Sequence, residues 1–365
     1  MFLIWRAEAT GADSRAFGDT PQNGVFMNIL LTSAGRRGYL VEFFKQALDG
    51  NGLVHAGNSS PVSPAFYYAD KHVVTPLIYD SGYIPFLKEY CKANDIKAVV
   101  SLFDVDLMVL AKHKEEFAEM GVTVVVSDPD VIDICNDKWK TYEFCVKNQF
   151  NAPKTYKSLS DVKAALNDGA LSYPVMVKPR WGMGSIAVCQ ADNEKELEVF
   201  AHKVRNEIFK SYLKYESEPD RDFCVLFQEK LSGQEYGLDV IHDLNKKHRL
   251  TVVRKKIAMR SGETDCAAVV KDPVAEELGT SLGRALGHIG NLDMDVFVTE
   301  DGKPYVLELN ARFGGGYPFS HFAGVNLPKA LLKWIAGDEC VDELVIKEYD
   351  RLAQKDIRLI DITGF

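Results

Sequence analysis

The sequence predicts an α/β protein: a leading domain built on a parallel sheet, then a larger body of strand–turn–strand units. Three observations predict it. From Met27 to about Cys135, short apolar runs alternate with amphipathic stretches, the pattern of parallel strands covered by helices on both faces. Beyond Lys138, apolar runs are joined through glycine-bearing turns, as in VMVKPRWGMGSIAV and FCVLFQEKLSGQEYGLDV. Near the end, DMDVFVTEDGKPYVLELN sets two alternating apolar runs about Asp301-Gly302, a dipeptide that favours a two-residue hairpin turn.

The elements follow in chain order. Residues 1–26 are rich in Gly, Pro, Asp, Ser and Thr without periodicity and are expected to form a mobile extension. NILLTS is the first strand, and Ser33-Ala34-Gly35-Arg36-Arg37-Gly38 opens a helix over YLVEFFKQAL. This GxxG is not the GxGxxG of dinucleotide sites. GLVHAGN, HVVTP, AVVSLFD and VTVVVS supply further strands, interleaved with helices over YIPFLKEYCKAN and LMVLAKHKEEFAEMG. Asp104 and Asp106 follow a strand end, where ligands of such sheets bind; solvated loop carboxylates are the competing reading. KWKTYEFCVKNQ begins the second part, Glu194 to Tyr215 reads as one charged helix, and NLPKALLKWIAGDE closes the body.

Composition bounds the function. A formal net charge of −9 argues against a nucleic-acid or anionic-membrane partner, since a polyanion needs a basic surface. Seven scattered cysteines, with no CxxC pair, read as reduced thiols in a cytoplasmic protein. No apolar run approaches the roughly 18 residues of a membrane helix.

The hairpin carries the chemistry. If Glu300 pairs with Lys303, Asp295 falls opposite Glu308, and Asp293, Asp295, Glu308 and Asn310 share one face. Met294, Val296, Val298, Leu307 and Leu309 then face a core. Opposed carboxylates about 5 Å apart repel unless a positive charge sits between them, and oxygen donors without His or Cys suit Mg²⁺ with substrate phosphate. Arg312 adds a cation on the same side. Upstream, Lys178 ends an apolar strand before Trp181-Gly182-Met183-Gly184-Ser185, a loop whose backbone can approach phosphate closely. Gln228-Glu229-Lys230-Leu231 ends another strand, where backbone groups can meet an adenine edge, and Glu235 beyond the turn can accept from a ribose hydroxyl. Arg254, Lys256 and Arg260 cluster on LTVVRKKIAMR and suit a polyphosphate or a carboxylate; which of Arg254, Lys255 and Lys256 faces the phosphates is left open.

In their order and spacing, NDKWKTYEF, VMVKPRWGMGS, QEKLSGQEYGLDV, RKKIAMRSGET and DMDVFVTEDGKPYVLELNARFGGGYP resemble ATP-grasp ligases. The resemblance is to the carbamoyl-phosphate-synthase-like type, near the PylC-like carboxylate–amine ligases. It implies a Rossmann-like pre-ATP-grasp domain over 27–135, an ATP-grasp domain over 136–340 with subdomains 136–222 and 223–340, and a C-terminal segment over 341–365. It also implies ATP with Mg²⁺, or Mn²⁺ in its place. Lys138 and Lys178 would contact phosphate, Gly182, Gly184 and Ser185 would cover it, and Gln228, Glu229, Lys230 and Leu231 would read adenine. Glu235 would hold the ribose, and Met176 and Leu307 would wall the ring. Asp295, Glu308 and Asn310 would ligate the metal, with Arg312 and one of Arg254 or Lys256 at the reacting group. Relatives often carry Gln or Glu at the Asp295 position, and Asn-Ala-Arg here replaces the usual Asn-Pro-Arg.

The expected reaction activates a carboxylate as an acyl phosphate for attack by an amine. Small molecules, amino acids among them, are the expected partners, with substrate groups drawn from Asp104, Arg36, Arg260, Gly315 and Tyr317. Alternatives are a single-half carbamoyl-phosphate-synthase-like enzyme acting on bicarbonate or carbamate, and an ATP-binding regulatory subunit without turnover. A homodimer is the commonest assembly of such enzymes, and the state is left open.

Overall fold

A computed structural model describes residues 26–339 and 341–361; the expected extension over 1–26 lies, apart from Phe26, outside the described residues. Strands β1 (Asn28–Thr32), β2 (Val54–Asn58), β3 (Lys71–Val74), β4 (Ile96–Ser101) and β5 (Thr123–Val125) form one sheet in the order β3-β2-β1-β4-β5. Every pairing is parallel. Helices α1 (Gly38–Leu48), α2 (Pro64–Tyr68), α3 (Tyr83–Ala93) and α4 (Asp104–Glu119) make the crossovers, and α5 (Pro129–Asn136) follows the last strand. Leu30 and Leu31 are buried on opposite faces of β1, in separate core clusters, which is why β1 reads as continuous apolar sequence.

One carboxyl organises the strand ends. Asp106 is fully buried and accepts hydrogen bonds from Thr32, Ser33, Ser101 and Tyr83. Burial raises its pKa against the pull of those donors. The reading of Asp106 as a loop carboxylate is corrected by this: it lies in the first turn of α4 and pins the loop that carries Arg36 and Arg37.

After α6 (Lys138–Lys147), a first lobe holds β6 (Thr155–Tyr156), α7 (Leu159–Asn167), β7 (Val175–Pro179), β8 (Cys189–Ala191), α8 (Glu194–Lys210), α9 (Lys214–Ser217) and β9 (Val225–Glu229). Its sheet runs β6-β9-β7-β8. Because β9 pairs with β7 across Val175–Pro179, the change of sheet comes at residues 230–233 rather than at 222/223. The charged run from Glu194 is two helices, since Ser211 is extended (φ −113°, ψ −178°).

The second lobe holds β10 (Gln234–His242), β11 (His248–Arg260), β12 (Glu263–Val269), α10 (Pro273–Leu286), β13 (Gly290–Val298), β14 (Pro304–Asn310), α11 (Tyr317–Phe322), α12 (Leu327–Ile335) and β15 (Leu352–Gln354). Its antiparallel sheet runs β14-β13-β10-β11-β12-β15. Leu238, Val240, Met294 and Leu309 from this lobe share a buried core with Leu30, Val99 and Leu110 of the leading domain, so the two pack as one body.

The β13–β14 hairpin differs from the expected form at its tip. Thr299 N–H donates to Lys303 and Gly302 N–H to Thr299, which makes a three-residue loop of Glu300, Asp301 and Gly302, with Gly302 at φ +78°. A bulge then lets Val296 face Val306 while Asp295 faces Glu308. Loop and bulge offset each other, so the far register equals the expected one. The extra residue is Leu307, and it turns away from the core that Val306 and Leu309 enter.

Among the described residues no helix is long and apolar enough to cross a membrane. Cys91, Cys135, Cys145, Cys189, Cys224 and Cys266 are free thiols.

Candidate active site

On one face of the second lobe, Arg254, Gly237, Asp295 and Glu308 stand in a single row across β11, β10, β13 and β14. The next rows hold Asp239 with Asp293 and Asn310 on one side, and Lys256 with Glu235 on the other, as the period of two requires. Gly237 leaves the middle of the row bare: a Cβ there would lie 3.2 Å from Arg254 Nη2 and from Lys256 Cε. Cations from β11 therefore cross β10 to reach the carboxylates of β13. Lys256 Nζ sits 2.6 Å from Glu235 and 2.7 Å from Asp295. Burial opposes its charge, but Asp295 and Glu235 outweigh burial and hold its pKa above the ordinary lysine value.

A cleft of about 340 Å³ opens between the lobes. Its polar lining includes Lys138, Lys178, Glu235, Asp295 and Glu308; its apolar lining includes Met176, Ile186, Val188, Leu231, Phe297 and Leu307. Gly182, Ser185, Gln228, Glu229 and Lys230 complete the wall. Of the nucleotide residues read from sequence, Gly184 alone does not line it. Gly184 (φ +65°) tips the loop and rests on the β11–β12 turn, where a Cβ on Gly262 would lie 2.5 Å from Gly184 O.

Lys138 reaches Glu308 at 3.2 Å and donates to Gly182 O. It stands at the start of α6, where Asp137 caps Trp139 N–H. Asp137 also receives both Nε and Nη2 of Arg180, each at 2.8 Å, which ties α6 to the end of β7. Lys178 on β7 donates to Gln228 Oε1 at 2.7 Å. Burial, and then the charge of Lys138, press its pKa down to about 8, so an anion in the cleft would be welcome to both lysines.

Asp295 and Glu308, directly opposed, are met by Lys256 and Lys138 rather than left to repel. Desolvation, chiefly, raises the Asp295 pKa to about 6, with Lys256 opposing and Asp293 and Glu235 adding to it. Among the described residues no three His, Cys, Asp or Glu side chains converge as a preformed metal cage. Two opposed carboxylates and the amide of Asn310 nonetheless fit a hard ion that takes its remaining ligands from phosphate and water.

Arg312 is buried between domains: it holds Asp104 at 3.0 Å and Asp293 at 3.1 Å. Burial works against its charge, while the two carboxylates raise its pKa above the ordinary value. Arg254 is fully buried against Asp239 and Asp293; neither it nor Lys256 lines the cleft, and Lys256 adjoins the cleft only through Glu235 and Asp295, which do. Tyr317 is corrected as a substrate residue. Its hydroxyl donates to Val325 O and accepts from Leu327 N–H inside the core, which leaves it no face to a ligand. Arg260 and Gly315 stand apart from the cleft: Arg260 meets Asp265 at 3.4 Å, and a Cβ on Gly315 would lie 3.1 Å from Glu263.

Several lining residues escaped the sequence reading, among them Ile186, Val188 and Phe297. Ile186 and Val188 are exposed apolar side chains on the loop, which on sequence are indistinguishable from strand-core residues. Gly237, inside a strand pattern, was a signal of close side-chain approach.

The model of the PylC-like N-terminal domain matches residues 29–125, and the ATP-grasp domain model matches residues 135–316. Solved structures of similar fold include the biotin carboxylase domain of Hydrogenobacter thermophilus 2-oxoglutarate carboxylase, in complex with MgADP, ADP and bicarbonate. It is 16% identical, with TM-score 0.70 over 90% of this chain and 74% of that one. The L-amino acid ligase of Bacillus licheniformis is 21% identical, with TM-score 0.64 over 85% and 75%. N5-carboxyaminoimidazole synthetase from Staphylococcus aureus, complexed with ADP, is 16% identical, with TM-score 0.65 over 86% and 78%. At these identities the likeness concerns the fold.

Proposed function

For a chain that belongs to the ATP-grasp superfamily, we propose an ATP- and magnesium-dependent carboxylate–amine ligase that releases ADP and forms an amide through an acyl phosphate. The observation that supports it is the convergence of Lys138, Lys178, Asp295 and Glu308 in a cleft that Met176, Ile186, Val188 and Leu307 also line. Adenine suits the apolar lining of Met176, Ile186, Val188 and Leu307, with backbone donors and acceptors of Gln228–Leu231 at its edge. The phosphates suit the lysines.

Magnesium held by Asp295, Glu308 and Asn310 would neutralise charge on the β- and γ-phosphates. Lys138 and Lys178 bind the transferring group, and a bound polyphosphate favours the charged form of Lys178. Lys256 keeps Glu235 and Asp295 apart and oriented. Arg312, fixed by Asp104 and Asp293, offers its remaining donors where a substrate carboxylate meets the γ-phosphate. The loop at Gly182–Ser185 excludes water from an intermediate that water would hydrolyse.

A second reading, phosphorylation of bicarbonate, draws support from the fold shared with a biotin carboxylase domain. Screening small acids and amines in pairs for ADP release tests both. A pair-dependent signal supports the ligase, bicarbonate-dependent turnover without any amine supports the second reading, and no turnover under any condition would sink both. We propose a cytoplasmic location, which the seven scattered cysteines of the sequence, without a CxxC pair, support.

A further inference from the structure

The loop at Gly182–Ser185, which faces the nucleotide cleft, is held from behind. Gly182 (φ +110°) packs so closely on Leu213 that a Cβ there would lie 2.5 Å from Leu213 Cδ2. Leu213 is itself buried and immediately precedes α9, beyond the break that ends α8 at Ser211. Because Gly182 has no side chain, Leu213 touches the backbone of the loop, so any shift of this segment reaches the loop directly. Gly182, Met183 and Lys138 line the nucleotide cleft and also, with Tyr212, Leu213 and Glu216, a small pocket beside it.

The same segment is fastened to the leading domain. Tyr79, in the connection between β3 and α3, stacks on Tyr215 with ring centres 4.2 Å apart and planes at 27°. Its hydroxyl donates to Glu216 Oε1 at 3.1 Å and is, among the described residues, the one side-chain donor to that carboxylate. Tyr212 meets Phe103, with ring centres 5.9 Å apart, and Phe103 precedes the Asp104 that holds Arg312. Tyr212, Tyr215 and Glu216 thus reach the leading domain, while Leu213 among them reaches the loop. The stacked rings are open to water, Tyr79 at 41% and Tyr215 at 47% exposure, so they are not core residues of either unit. A surface stack of this kind adds little to the burial that holds a fold together, but its geometry fixes how two units sit.

We propose that Tyr79 is a positioning residue for nucleotide binding: by clasping Tyr215 and Glu216 it holds α9 against the leading domain, and through Leu213 it keeps the Gly182–Ser185 loop closed over the phosphates. This rests on the ATP-binding part of the proposed function and goes beyond it. Among the described residues none before Lys138 lines the nucleotide cleft, so the clasp gives the leading domain a hold on a nucleotide that it does not touch. Nucleotide leaves when the clasp opens and the loop lifts.

The test is made on the full chain by amide hydrogen exchange with Mg-ADP bound, and by the rate at which excess ADP displaces a fluorescent ADP analogue. Tyr79→Ala removes the clasp, and Tyr79→Phe keeps the stack without the hydrogen bond. Tyr215→Ala is measured alone and together with Tyr79→Ala. In Tyr79→Ala, exchange over residues 181–188 and release of the analogue should both quicken about three- to tenfold, the size of a lost aromatic pair with its hydrogen bond. Exchange over β1 and β4, and the melting temperature of the nucleotide-free protein, should stay close to the wild type. Tyr79→Phe should fall between, and the double variant should match the single ones rather than multiply them. The proposal is overturned if Tyr79→Ala exchanges its loop amides and releases the analogue as the wild type does, if exchange rises equally over β1 and β4, or if the two substitutions multiply. Wild-type protein that binds no Mg-ADP would overturn the ATP reading and the clasp with it, whereas failure of the clasp alone leaves wild-type binding intact.

Discussion

Lys256 Nζ lies 2.7 Å from Asp295, across a strand whose intervening residue, Gly237, has no side chain to separate them. The ammonium thus stands beside a carboxylate proposed to hold magnesium. Replacement by an isosteric neutral residue, Lys256→Met, leaves Asp295 and Glu235 facing each other without a cation. We expect a lower melting temperature in EDTA, by the equivalent of about 1–3 kcal/mol, and a larger recovery on adding Mg²⁺ than the wild type shows. Thermal unfolding with and without Mg²⁺ checks this; equal Mg²⁺ responses would count against it.

Gly237→Ala tests the same crossing from the other side. Its Cβ would press at 3.2 Å on both Arg254 and Lys256, so the cations must retreat from Asp293 and Asp295. The expected outcome is a loss of about 1–3 kcal/mol in urea unfolding and weaker Mg-ADP binding by calorimetry. Gly302→Ala, at a positive φ in the open hairpin tip, should cost stability without touching Mg-ADP affinity.

Lys178 gives a pH dependence. Its folded pKa of about 8 lies below the ordinary 10.4 or so. The charged form is therefore disfavoured by folding: the destabilisation is full below about pH 8 and is relieved as pH rises toward 10.4. A polyphosphate reverses the preference, so nucleotide binding near pH 8–9 should take up a proton, and affinity should fall above that range. Calorimetry in buffers of different ionisation enthalpy measures the uptake, which Lys178→Met should abolish.

Asp137→Ala removes the buried partner of Arg180 and the cap of α6 together. Leaving a buried guanidinium short of its counter-ion costs about 3–5 kcal/mol, lessened here because Asp220 also contacts Arg180. Chemical denaturation should show the loss, and the KM for ATP should rise because Lys138 adjoins the broken cap.

Much of the leading domain could be read from periodicity alone, because two-sided burial of strands such as NILLT leaves continuous apolar sequence. The opposition of Asp295 and Glu308 came out as expected although Glu300 does not pair with Lys303, because the three-residue loop and the bulge offset each other. What escaped the reading depends on contacts far apart in sequence. The Leu307 bulge is set by loop geometry at Glu300–Gly302, the burial of Tyr317 by Val325 and Leu327 folding over it, and the place of β9 by pairing with β7 some 50 residues earlier. Arg254 and Lys256 share a strand face, and only the lean of each across Gly237 separates a strut between Asp239 and Asp293 from a cation held by two cleft-lining carboxylates.

The most direct test is the melting temperature of the wild type and of an Asp295→Asn/Glu308→Gln variant with ATP, with Mg²⁺, and with both. If these carboxylates hold magnesium against a nucleotide, the wild type should be stabilised far more by both together than by either alone, and the variant should lose that synergy while keeping a response to ATP. A wild type indifferent to Mg-ATP, or a variant that responds as the wild type does, would contradict the account.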